Sequence, residues 1–94
     1  MEETFETMTD WADETFGPVT LERSLERAKE EIDEFLEEIS RQTVSVDDVL
    51  DEAADVIITL ARLPGIGYRV DAKMKKNRSR KWRRVGDGTG YHIK

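Results

Sequence analysis

An all-α fold, a helical bundle completed by oligomerisation, is predicted by three observations. Two long segments of the 94-residue chain carry apolar residues at helical spacing, each opened by a Ser or Thr cap signal. Only two prolines and six glycines interrupt the chain, and the glycines gather at 17, 65–67 and 86–90. Finally, 37% hydrophobic content is thin for a chain that must build its core alone. The sequence reads as one domain, residues 1–94, with a basic C-terminal segment from about residue 68 to 94.

The first helix is expected over Thr9 to Phe16, with Thr9 or Asp10 as its cap, room to start earlier, and an end at Gly17-Pro18. Phe5, Met8, Ala12 and Phe16 form its inner side with Trp11 at the margin. Trp11 and Phe16 have two readings: stacking a nucleobase, or packing on the next helix, which base rates favour. Thr20 caps a helix running to about Arg41, whose core face is expected to be Leu21, Leu25, Ala28, Ile32, Phe35, Leu36 and Ile39.

Gln42 to Ser45 joins this helix to a third, capped by Ser45 and running to about Leu63. Apolar side chains surround most of it and leave a narrow polar stripe of Asp48, Asp51, Glu52, Asp55, Thr59 and Arg62, so a central, many-sided packing is expected. After Pro64-Gly65-Ile66-Gly67 a fourth helix is predicted from about Tyr68 to Lys81, with Lys73, Asn77, Arg80 and Lys81 on one face. Gly86 to Lys94 reads as a loop.

The net charge of −6 hides a division. Residues 1–63 hold 19 acidic and 5 basic side chains, whereas residues 64–94 hold 2 acidic and 10 basic. Such a tail can bind nucleic acid, fold onto the acidic body, or hold a polyanionic ligand. The absence of cysteine excludes a disulfide framework and agrees with a reducing compartment, so the cytoplasm is expected. Neither a signal peptide nor a membrane span is predicted. Covalent catalysis and nucleotide folds built on glycine-rich loops have no motif here. His92 is the lone histidine, close to the end of the sequence, and reads as surface decoration.

The chemistry concentrates in carboxylates. Glu31 with Glu34, and Glu52 with Asp55, are pairs at i and i+3, each sharing a helix face. Facing one another, the pairs would form a cage whose mutual repulsion favours capture of a hard divalent cation, Mg2+ or Mn2+. At about 100° per residue Glu31 and Glu34 look into a cleft at one edge of the apolar stripe, whereas Glu30 lies nearly opposite it. The bland alternatives are an Arg27–Glu31 ion pair on a solvated face, and Glu52 and Asp55 facing water or pairing with tail arginines.

Glu30-Glu31-x-x-Glu34, a gap of seventeen residues, and Glu52-x-x-Asp55 resemble the EExxE…ExxD signature of the MazG-like, all-α nucleoside triphosphate pyrophosphohydrolases. The wider group includes the dimeric dUTPases and phosphoribosyl-ATP pyrophosphatases. Trp11 to Pro18, and Lys73-x-x-x-Asn77-Arg78-x-Arg80-x-Trp82, are similar to the small phage and bacterial members described as dATP/dGTP pyrophosphohydrolases.

The resemblance implies a MazG-like helical bundle, a homodimer or homotetramer, that hydrolyses a nucleoside triphosphate between the α- and β-phosphates in nucleotide-pool control. It implies Mg2+, or Mn2+, on Glu31, Glu34, Glu52 and Asp55, with Glu34 or Glu30 handling the attacking water. Lys73, Asn77 and Arg80 match positions expected to hold phosphates, and Trp11 and Phe16 are the base-stacking candidates. Two rivals stand beside this reading: a phosphoribosyl-ATP pyrophosphatase, and a non-catalytic module whose nine cations from Arg69 to Arg84 bind nucleic acid. The strongly acidic body disfavours the second.

Overall fold

A computed structural model describes residues 2–41, 43 and 45–94. Four helices are followed by a small hairpin: α1 (Phe5–Phe16), α2 (Leu21–Ile39), α3 (Val46–Leu60), α4 (Ile66–Ser79), β1 (Trp82–Arg84) and β2 (Gly90–His92). Among the described residues no helix is long and apolar enough to cross a membrane.

The first three helices start where a hydroxyl satisfies the first free backbone amides, whereas α4 starts at Gly65 without a side-chain cap. Thr20 accepts from the Arg23 amide and Ser45 from the Asp48 amide, each at 3.1 Å, as the sequence predicts. α1 starts earlier than Thr9. Thr4 accepts from the Thr7 amide at 3.1 Å and the Thr7 hydroxyl accepts from the Thr4 amide at 2.8 Å, a reciprocal cap that satisfies two donors at once. Thr9 is thereby released, and its hydroxyl donates to the Ala61 carbonyl at 2.8 Å, tying α1 to the end of α3. Gly17, at φ 85°, ends α1 in a backbone region that costs other residues strain. In the α2–α3 connection Gln42 and Val44 lie outside the described residues.

α2 and α3 form the principal packed pair, and α1 crosses α3. The buried positions at these crossings are small, Ala12, Ser24, Ala28 and Ala61, which lets the backbones approach closely. The face of α2 turned inward is Ser24, Ala28, Glu31 and Phe35. The expected core face is therefore rotated: Leu21, Leu25, Ile32, Leu36 and Ile39 are exposed, Leu36 to 61%. α3 is likewise not central, since it has no buried residue and leaves Val46 at 74% exposure with Leu50 and Ile57 also open. The periodicity groups these apolar residues on one face of each helix, and in the single chain those faces are left open.

The missing neighbour is α4. It shares no extensive contact with α1, α2 or α3, although the Phe5 ring lies beside Gly67. α4 and the hairpin form an arm, and the radius of gyration of 16.0 Å exceeds the roughly 12 Å of a compact domain of this length. α4 ends at Ser79, so Arg80 and Lys81 do not share the Lys73 face as predicted; Arg80 is already extended, at φ −91° and ψ 157°. The segment expected to be a loop contains β2, paired antiparallel with β1 in the register Trp82 to His92, Arg83 to Tyr91 and Arg84 to Gly90. Gly90 is required there, because a side chain would meet the Arg83 carbonyl at 2.9 Å.

Candidate active site

A cavity of about 500 Å³ opens between α1, α2 and α3. Trp11 and Phe16 line one part, Glu31 and Asp55 another, with Ser24, Arg27, Thr59 and Arg62 among the remaining walls. The structure thus brings the aromatic candidates and two carboxylate candidates into one enclosure. Trp11 and Phe16 meet edge to face, with centroids 5.5 Å apart and planes at 85°. Perpendicular rings cannot sandwich a flat ligand between them. One can carry its face while the other meets its edge.

Glu31 is the buried acid, 8% exposed, placed there by the rotation of α2 described above. Thr59 donates to its Oε1 at 2.5 Å, with the Asp55 carbonyl 3.0 Å from the same hydroxyl, and Arg27 Nε stands 3.6 Å from the same Oε1. Both contacts fall on one oxygen, so among the described residues Oε2 has no donor. The bland Arg27–Glu31 pair of the sequence reading is real and coexists with burial of the carboxylate in the cavity.

Glu30 points elsewhere. Arg23 reaches it at 3.0 Å and Arg27 at 3.1 Å on the outer side of α2. Hydrogen bonds from these two guanidiniums hold its carboxyl below the ordinary range. Glu52 is displaced the opposite way. Repulsion from Glu38 above all, then loss of water and repulsion from Asp55, Glu34 and Glu31, raises it. Glu52 lines a neighbouring recess with Glu38, Asp48 and Asp51 rather than the aromatic cavity.

The four predicted metal ligands are therefore neighbours without a shared centre. Among the described residues no group of three or more acidic or histidine side chains is gathered to hold a metal ion. The donor set still suits a hard cation, being all oxygen, drawn from two facing helices and mutually repelling, so binding requires the exposed carboxylates to turn inward. Lys73, Asn77 and Arg80 stand on the arm, away from this cavity. The Asn77 carbonyl is engaged by Trp82 Nε1 at 2.7 Å, which fastens the hairpin to the helix end.

Sequence reasoning missed Ser24 and the roles of Thr59 and Arg62. Arg62 donates to Asp13 at 2.8 Å and to the Gly17 carbonyl at 2.7 Å, clamping the end of α1 to the segment just after α3, while among the described residues its buried Nε has no acceptor. Thr59 and Arg62 both belong to the polar stripe predicted for the third helix, which ends at Leu60, two residues before Arg62, so the signal was present; Ser24 follows from its spacing of seven residues before Glu31 on the buried face. Comparison of the chain with protein-family models, curated proteins and solved structures finds no match.

Proposed function

We propose that the chain is a MazG-like pyrophosphohydrolase, converting a (d)NTP to the (d)NMP and pyrophosphate with Mg2+ and preferring the purine substrates dATP and dGTP. The observation that carries this reading is the single cavity with aromatic rings on one wall and Glu31 and Asp55 on another. A nucleotide needs an apolar surface for its base and cations about its phosphates, and this enclosure supplies the first beside the carboxylates that would recruit the second.

The base lies against Trp11 or Phe16, which directs the phosphates toward Glu31, Asp55 and the Glu52 recess. Mg2+ held there supplies charge neutralisation of the phosphates and of the departing pyrophosphate. Thr59 fixes Glu31 in one orientation. Glu34 is the better candidate for taking the proton of the attacking water, because Glu30 is occupied by two guanidiniums and held in its anionic form as a weak base.

Phosphate contacts from Lys73, Asn77 and Arg80 require the arm to reach an acidic body. A homodimer or homotetramer meets that need, since the open faces of α2 and α3 offer apolar surface to a second copy and the arm and body carry opposite charge. Products of incubation with each (d)NTP and Mg2+ test the reading. Monophosphate with pyrophosphate is expected, and diphosphate with phosphate overturns it. Phosphoribosyl-ATP belongs in the same assay as the rival substrate. The undocked arm, with nine cations and Trp82, favours the nucleic-acid module as a second reading; salt-sensitive DNA binding without triphosphate cleavage would establish it.

A further inference from the structure

The cavity contains a polar group that neither the fold nor the proposed chemistry uses. Ser24 is 3% exposed overall, lines the cavity with Trp11 and Phe16, and among the described residues its hydroxyl bonds to no protein group; it is not one of the fully buried unpaired atoms, so the surface it keeps is open to the cavity. A helical serine has a ready partner in the carbonyl one turn back. The Ser24 amide donates to Thr20 in the ordinary helical way, at 3.0 Å, yet the side chain takes no such bond.

Close packing explains a small residue at this crossing, as it does Ala12, Ala28 and Ala61. It does not explain a hydroxyl. Alanine packs equally well there, favours a helix more and asks for no partner from the cavity.

The neighbours say what kind of group completes it. A flat ring resting on one aromatic face has its perimeter directed at the cavity walls, because the second aromatic ring stands perpendicular. A nucleobase is a flat ring whose perimeter carries donors and acceptors, and a serine hydroxyl both donates and accepts. Resting on the reading that the ligand is a nucleotide, we propose that Ser24 is the residue that discriminates between bases, hydrogen-bonding the edge of the base that lies against Trp11 or Phe16. Metal and phosphate contacts are the same for every nucleoside triphosphate, so selection falls to a group at the base end, where Ser24 presents to the cavity a hydroxyl that no protein group among the described residues engages.

Two measurements test this. In the first, kcat/KM for dATP, dGTP, dCTP and dTTP with Mg2+ is compared between the unmodified chain and Ser24→Ala, with circular dichroism confirming retained helix. In the second, the four deoxynucleoside monophosphates are titrated without metal into Trp82→Phe protein, with and without Ser24→Ala, following Trp11 fluorescence.

The expected result is a best-to-worst ratio roughly 3- to 10-fold smaller in Ser24→Ala in both series, the size of one lost hydrogen bond. Unchanged ratios, no preference among bases in the unmodified chain, or no response of Trp11 to any monophosphate while hydrolysis proceeds would each overturn the role of Ser24 and leave the pyrophosphohydrolase reading intact. Base-selective quenching of Trp11 that Ser24→Ala removes, in a protein that cleaves no triphosphate, would uphold Ser24 and sink the catalytic reading. Absence of both binding and hydrolysis would remove both.

Discussion

Glu31 shows how a single side chain joins packing to chemistry. Its carboxylate is buried because the small residues Ser24 and Ala28 bring α2 close to α3, and Thr59 provides the donor that makes the burial tolerable. Thr59→Val should therefore cost about 1–3 kcal/mol in denaturant unfolding, the penalty of leaving a partly buried acceptor without its donor, while Thr59→Ser stays within about 0.5 kcal/mol. A valine variant as stable as the parent would show that the clamp is incidental. Glu52 is the complementary case. Its neighbours raise it by repulsion, so its ionised form at neutral pH works against the fold. Glu52→Gln should raise the metal-free thermal midpoint at neutral pH and abolish most of the increase that Mg2+ or Mn2+ produces in the parent. An undiminished metal response in that variant would remove Glu52 from the ligand set.

At the scale of elements, the arm is the part whose structure departs most from its sequence signal. Glycine-rich segments usually mark loops, but Gly90 fits beneath the Arg83 carbonyl and Asp87 closes the turn by accepting from the Thr89 amide at 3.0 Å and its hydroxyl at 2.6 Å. Those bonds from Thr89 hold the Asp87 carboxyl below its ordinary value of 3.8. A depressed acid stabilises the turn above its unfolded value and loses that contribution as pH falls through the folded one. The Trp82 signal should accordingly report loosening of the hairpin on acidification below about pH 3.8, and Asp87→Asn should flatten this dependence. An identical acid transition in the two proteins would place the sensitivity elsewhere. For the arm's function, Lys73→Ala and Arg80→Ala should depress triphosphate turnover much more than the thermal midpoint, since Lys73 is exposed on an undocked helix. Stability losses with unchanged kinetics would instead make these cations scaffolding.

At the scale of the molecule, the open faces are the main fact. Leu25, Ile32 and Leu36 on α2 and Leu50 and Ile57 on α3 are exposed in the single chain, and the proposed assembly would cover them. Sedimentation should show a dimer or tetramer. Leu36→Glu with Leu50→Glu should disperse it and abolish turnover, while helical content in the monomer falls little because both positions already face water. A chain that sediments as a monomer with full activity would end the assembly argument.

Local rules were enough for what depends on neighbours a turn away. The Thr20 and Ser45 caps, the helices they open and the carboxylate pairs at i and i+3 are all legible because hydrogen bonding and helical phase act within a few residues. Phase says which residues share a face, but not which of two adjoining faces meets the rest of the chain. For that reason the α2 stripe reads as core, whereas the tertiary structure buries Ser24, Ala28 and Glu31, half-buries Phe35 and leaves the leucines open. The union of Trp11 and Phe16 with Glu31 and Asp55 in one cavity, the capture of Glu30 by Arg23 and Arg27, and the idle hydroxyl of Ser24 were decided only in three dimensions. Each depends on how closely three helices approach, and that distance is set by the small residues where they cross.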